Sequence, residues 1–311
     1  MSCKHTNQHF VPKCYLRGFS FGKKKNPIVY VYDKQASKTY ATPINDICYE
    51  EDLYTIKDPQ LSEEERKKFY EVNYLKKEIE DSYGPCLEDT VSKLSENNTL
   101  TVPEKIELAH FIAIQYLRLP IIKPLCSHIQ NGLFSDIDKA KALISEYEKG
   151  DSHLLRYYSD DSKAHFTNGY GNEGTINNLT CLFGLARWDV IYSQNNIFTS
   201  DYPVFVIPQK FEIYNDKIVL NRKFEKFIFP ISKDYLLTIE IDPDSSYYQN
   251  NLCIVKEASE IELLRYNLFQ FLFCRRFVIK NGPFDEKELE YIRLIQNNNI
   301  IIDDKNEYAD H

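Results

Sequence analysis

The chain has 311 residues, a net charge of −8 and a pI of about 5.5, with 43% hydrophobic and 27% charged residues. These values describe a globular protein with room for a substantial core, and the acidic balance gives no global attraction to nucleic acid or anionic membrane. The opening MSCKHTNQHF has no apolar h-region and no apolar run reaches the length of a membrane helix, so the expected setting is the cytoplasm.

The first elements in chain order are PIVYVYD (Pro27–Asp33) and SKTYATPI (Ser37–Ile44), two strands around a Lys34-Gln35-Ala36 turn that predict a hairpin. From Ser62 to Asn97 the pattern changes to helix. Ser62 is placed as its cap with Glu65 at the third position, and Phe69, Val72, Leu75 and Ile79 lie on the apolar face. Gly84-Pro85 must kink or divide that helix, because proline removes a donor and crowds the preceding turn. Thr101-Val102-Pro103-Glu104 opens a second helix, IELAHFIAIQYLR, apolar around most of its circumference and therefore central. A third is expected over Asp136–Lys149, with Ile137, Ala140, Leu143, Ile144 and Tyr147 at helical spacing.

Residues 150–174 are polar and rich in Ser, Asp, Tyr and Gly, the composition of a mobile insertion. NLTCLFGLARW then leads into strands at Asp189–Tyr192, Ile197–Phe198, Pro203–Pro208, Lys217–Leu220, Lys226–Ile231 and Tyr235–Ile241. A closing helix is expected over Ala258–Ile279. Strands, helices, strands and a final helix predict an α+β fold, mixed helices with mostly antiparallel strands, in one large domain over residues 1–311.

Eight cysteines are scattered with no C-x-x-C pair, which excludes a zinc-ribbon spacing and argues against a disulfide framework. The familiar dinucleotide, Walker A, zinc-protease and nucleophile-elbow motifs are absent, and only ten glycines are available for such loops. What remains is a dispersed set of polar residues in apolar settings. His5 and His9 have metal-ligand spacing for a helix, but Pro12 places the helix start near Val11 and leaves His5 outside it. His110 reads as a core histidine. Arg118 ends the apolar helix and needs an acceptor, either a buried acid, for which Asp201 is the natural candidate, or a phosphate. In NNIFTSDYPVFVI, Thr199-Ser200-Asp201 interrupts two apolar runs, so Asp201 either caps a turn or faces a site.

Taken in order, these pieces resemble a known family. His9-Phe10-Val11-Pro12 with Tyr15, Leu16 and Phe19, the VYVYD hairpin, the glutamate-bearing helix and Gln115-x-x-Arg118-x-Pro120 carry the likeness. So do Trp188, F-T-S-D-Y-P at Phe198–Pro203, F-P-I-S at Phe229–Ser232, and the closing helix with Asn267 and Arg275-Arg276. The set resembles the bacterial domain of unknown function 4238 family over nearly the whole chain. Where that family often has two adjacent histidines this chain has Gln8-His9, and Leu119 replaces the usual threonine between arginine and proline. The resemblance implies that the signatures converge on one site holding His9, Glu80, Gln115, Arg118, Ser200 and Asp201.

Three functions follow as expectations. The first is a hydrolase, a nuclease of toxin or phage-defence type acting on nucleic acid or a nucleotide, with His9, Asp201 and Glu80 as catalytic groups. Arg118, Gln115, Ser200 and Tyr15 would then bind substrate. The cofactor is open, and the acids would suit a divalent cation such as Mg²⁺ or Mn²⁺. The second is a nucleotide- or metabolite-binding sensor in which Arg118, Tyr15 and Trp188 hold the ligand. The third is a protein-interaction module, suggested by the 14% aromatic content. No membrane partner is expected, and the oligomeric state is left open.

Overall fold

The β-branched and aromatic residues of PIVYVYD and SKTYATPI build the expected hairpin: Ile28–Asp33 pairs antiparallel with Lys38–Pro43, from Ile28↔Pro43 to Asp33↔Lys38. Asp33 fixes the turn by accepting the backbone N–H groups of Gln35 and Ala36, each at 3.1 Å. The computed structural model describes residues 7–23, 25–56, 60–96, 99–130, 161–208, 211–214, 217–221, 224–241, 254–297 and 300–303. The helix expected at 136–149 and the first part of the insertion, 150–160, lie outside the described residues. The fold is α+β, and the chain groups into two compact units, Met1–Arg17 with Asn45–Leu185 and Gly18–Ile44 with Ala186–His311.

The first unit is mainly helical. A short antiparallel pair, Asn7–His9 with Tyr49–Glu51, leads into the helix Lys13–Arg17. The helix Glu63–Lys68 carries the expected Ser62/Glu65 capping box. The next ten residues, Glu71–Glu80, form a π-helix before α-geometry returns over Asp81–Ser95. Pro85 lies inside that α-helix, and the change of geometry falls at Asp81, four residues upstream, the residue whose carbonyl the ring would crowd. The proline is thus accommodated by a register change rather than by a break at Gly84-Pro85.

That change also alters which residues are inside. Tyr70, Leu75 and Ile79 are buried, whereas Phe69, placed on the inner face by α-periodicity, is 43% exposed. The central helix Val102–Leu117 begins with a Thr101/Glu104 capping box and buries Leu108, Phe111, Ile112 and Ile114. It packs on the helix Glu173–Gly184, where a Cβ on Gly184 would come within 3.2 Å of the Ile106 side chain. The described part of the 150–174 stretch is helical, as Asp161–His165, a π-turn at Phe166–Tyr170 and the start of Glu173–Gly184.

The second unit is built on sheets. Four antiparallel strands run in the order Lys38–Pro43, Ile28–Asp33, Phe277–Lys280, Thr199–Ser200. A five-stranded sheet runs Ile254–Glu257, Arg187–Tyr192, Tyr235–Glu240, Phe224–Pro230, Phe205–Pro208, parallel only at its first pair. A three-stranded sheet joins Ile300–Asp303, Lys217–Asn221 and Phe211–Tyr214. Trp188, Phe229, Phe269 and Phe271 are buried here, each contributing roughly 1.5–3 kcal/mol of apolar transfer.

The closing helix is shorter than its apolar run suggests. It spans Glu260–Phe273, and Phe277–Lys280 is a strand between Ile28–Asp33 and Thr199–Ser200. Lys34 donates to the last carbonyls of the helix, those of Phe271, Leu272 and Cys274, at 3.4, 3.4 and 3.3 Å. The described cysteines, 14, 48, 86, 126, 181 and 274, are all free thiols. No helix among the described residues is long and apolar enough to cross a membrane.

Candidate functional site

The polar residues read from the sequence divide between the two units. His9, Tyr15, Glu80, Gln115 and Arg118 belong to the first, Ser200 and Asp201 to the second.

In the first unit they are organised by Arg118. The central helix is apolar almost all round, so its last turn delivers this side chain into the interior, where it is 2% exposed. Each nitrogen of the guanidinium donates within the protein. Nη1 donates to Glu80 Oε1 at 2.9 Å, Nη2 to the His9 carbonyl at 2.7 Å and Nε to the Tyr54 hydroxyl at 3.3 Å. Tyr54 lies face-on to the cation at 5.8 Å. Burial works against a charged guanidinium, but Tyr54 and Glu80 outweigh it and hold Arg118 above its usual pKa. Burial also pushes the Tyr54 phenol up to about 12. The acid that answers Arg118 is therefore Glu80, not the Asp201 proposed from sequence.

Glu80 is the outward end of this network, with its side chain 25% exposed. Cys14, on the helix Lys13–Arg17, is a half-buried neighbour whose thiol burial raises to about 12, with the Glu80 charge adding to the effect. Gly84 permits that approach, since a Cβ there would stand 3.3 Å from the Cys14 Cβ.

His9 contributes its backbone. The carbonyl faces Arg118, while ring Nε2 lies 3.2 Å from the Asn45 carbonyl and the ring tilts against Tyr49. Gln115 donates to the Phe10 carbonyl at 3.1 Å, leaving its buried Oε1 without a partner among the described residues. Tyr15 is fully buried. His110 is half-buried, its imidazole pKa lowered by that burial.

Sequence reading passed over Tyr54 and noted Gln8 only as standing where the family often has a histidine. Gln8 accepts the Tyr54 backbone N–H at 2.5 Å and donates to the Lys67 carbonyl at 2.9 Å, at the end of the helix Glu63–Lys68. It also hydrogen-bonds Glu71. A neutral imidazole likewise offers one donor and one acceptor, so either residue type can supply such a link. The signal in the sequence was the position, directly before His9.

In the second unit, Asp201 answers a different need. Its Oδ1 accepts the Arg275 N–H at 2.9 Å, and its Oδ2 accepts those of Arg276 and Phe277 at 2.8 and 3.1 Å. These amides follow the end of the helix Glu260–Phe273, and a carboxylate on three successive N–H groups converts helix into strand. Ser200 donates to Gln270 Oε1 at 2.8 Å and accepts the Tyr202 N–H at 3.1 Å. Asp33 also ties to this junction, taking Arg276 Nη2 at 2.9 Å.

Among the described residues, no group of three or more His, Cys, Asp or Glu side chains is placed to hold a metal ion. One family model, described as Protein of unknown function (DUF4238), matches residues 7–283. No curated protein and no solved structure matches the chain.

Proposed function

The chain belongs to the family described as Protein of unknown function (DUF4238), and we propose that it is a cytoplasmic hydrolase, a nuclease of toxin or phage-defence type. The observation that carries this reading is the Arg118–Glu80 arrangement. A half-exposed carboxylate is held by a buried guanidinium whose other donors are fixed by Tyr54 and the His9 carbonyl. A base held this rigidly has its orientation settled before substrate binds, which is what general-base catalysis of hydrolysis requires.

Arg118 acts here by positioning Glu80, since each nitrogen of its buried guanidinium donates within the protein. Positive charge for a phosphodiester comes from the half-buried Lys13 and the exposed Arg17 on the helix that carries Cys14. Mg²⁺ or Mn²⁺ is compatible with such a centre, because these ions are commonly held by one or two carboxylates together with substrate phosphate and water.

The test is cleavage of labelled single- and double-stranded RNA and DNA with Mg²⁺, Mn²⁺ or EDTA, by wild type and Glu80→Gln, with thermal unfolding measured alongside. We expect cleavage by wild type and a loss of about 10²–10⁴-fold in a variant that still folds. Wild type that cleaves no polynucleotide under any condition sinks the reading. A sensor binding a nucleotide or metabolite in the same region is favoured by one observation, the engagement of the His9 ring with the Asn45 carbonyl. Nucleotide binding without turnover, read by calorimetry, would support it.

A further inference from the structure

Nine positions separate Glu71 from Glu80, and helix geometry decides whether two such residues can act together. In an α-helix of 3.6 residues per turn, nine positions make about two and a half turns and place the side chains on opposite faces. The segment Glu71–Glu80 is π-helical instead: Leu75 N–H donates to the Tyr70 carbonyl at 2.8 Å, and Asp81 N–H reaches the Lys76 carbonyl, each five residues back. At about 4.4 residues per turn, nine positions make just over two full turns, so Glu80 returns to the face that carries Glu71. The burial pattern follows the same register, with Tyr70, Leu75 and Ile79 inside and Glu71 and Glu80 both half-buried beside them.

The two carboxyl groups lie within electrostatic reach of each other. The groups facing Glu71 are the Gln8 amide, which hydrogen-bonds it, Tyr54, Lys13, Arg118 and Glu80. Burial dominates and raises the Glu71 carboxyl above the usual range; Gln8 opposes this and the Glu80 charge reinforces it. Glu80 has Arg118 as its ion-pair partner, whereas Gln8 offers Glu71 a neutral amide. Two carboxyl groups with different partners on one face can divide the acid and base roles of a hydrolysis.

We propose that Glu71 is the general acid paired with Glu80, an assignment that rests on the hydrolase reading above. Water attacks phosphorus and passes a proton to the Glu80 carboxylate as the new P–O bond forms. The P–O bond to the leaving oxygen breaks, and that oxygen takes the proton of the Glu71 carboxyl. Exchange with solvent then returns a proton to Glu71 and removes one from Glu80.

Two measurements on the full chain test the assignment. The first is a pH titration of ¹³C-labelled glutamate carboxyls by NMR, with Glu71→Gln identifying the Glu71 signal. The second is the pH profile of RNA and DNA cleavage by wild type and Glu71→Gln, with thermal unfolding as the check on folding. The expected result is a Glu71 midpoint above the ordinary glutamate range and a wild-type rate that falls as pH rises through it. Glu71→Gln should stay folded and cleave about 10²–10⁴-fold more slowly, without that alkaline limb. A midpoint in the ordinary range, or cleavage that survives in Glu71→Gln, overturns the assignment while leaving the hydrolase reading standing. Absence of cleavage by wild type at every pH overturns both.

Discussion

Arg118 donates to Glu80 across 2.9 Å, and only one of the pair is buried: the arginine side chain is 2% exposed and the glutamate side chain 25%. The arginine is desolvated, so its charge must be answered by internal acceptors, and the Tyr54 hydroxyl and His9 carbonyl complete that set. Glu80 keeps contact with solvent and so carries a smaller desolvation cost. The polar centre of the first unit is thus anchored inside and partly solvated at its edge.

Replacing Arg118 by Lys should therefore destabilise the protein even though the charge is kept. An ammonium cannot reach Glu80, Tyr54 and the His9 carbonyl in the fork geometry of a guanidinium. We expect a loss of about 2–4 kcal/mol in urea unfolding, toward the lower end for breaking a buried pair because Glu80 is partly solvated. Unchanged stability would show that the network contributes nothing to folding.

Asp201→Asn tests the helix-to-strand junction. The amide has one acceptor oxygen for three backbone donors, and its NH₂ group would face N–H groups. The expected cost is about 3 kcal/mol, with faster hydrogen exchange at the Arg276 and Phe277 amides. Wild-type exchange at these two sites would contradict the assignment.

His165 makes stability depend on pH. Its fully buried ring pairs Nε2 with the Leu117 carbonyl at 2.7 Å, and burial pushes its pKa down to about 3. The unfolded chain takes up this proton near the ordinary histidine value of about 6.5. Stability from the neutral ring is therefore present above that value and lost as pH falls toward about 3, on the order of 5 kcal/mol in all. Urea midpoints measured from pH 7 to pH 4 should fall in wild type and fall less steeply in His165→Gln. Parallel slopes would remove the assignment.

Some elements were legible because their signals are local. The hairpin follows from two short β-prone runs and three turn residues, and the Ser62/Glu65 and Thr101/Glu104 caps follow from residues three apart. The central helix follows from its composition. The end of the closing helix was not legible, because FLFCRRFVI carries no Gly or Pro stop signal and the helix stops where Lys34 and Asp201, distant in sequence, take its carbonyls and the next amides. The strand Phe277–Lys280 likewise exists because Ile28–Asp33 and Thr199–Ser200 lie on either side of it.

By itself the sequence determined the α+β class, the family and the polar residues worth examining, since composition, caps and ordered motifs are written in short stretches of chain. The partners of those residues were decided only by tertiary structure. Arg118 could have met any buried acid, and the fold chose Glu80. Asp201 could have faced a site, and the fold gave it three amides. Glu71 shares a face with Glu80 because that stretch winds as a π-helix, the register that also buries Tyr70, Leu75 and Ile79 together. Partner choice depends on which groups are desolvated together, and that is a property of the folded chain.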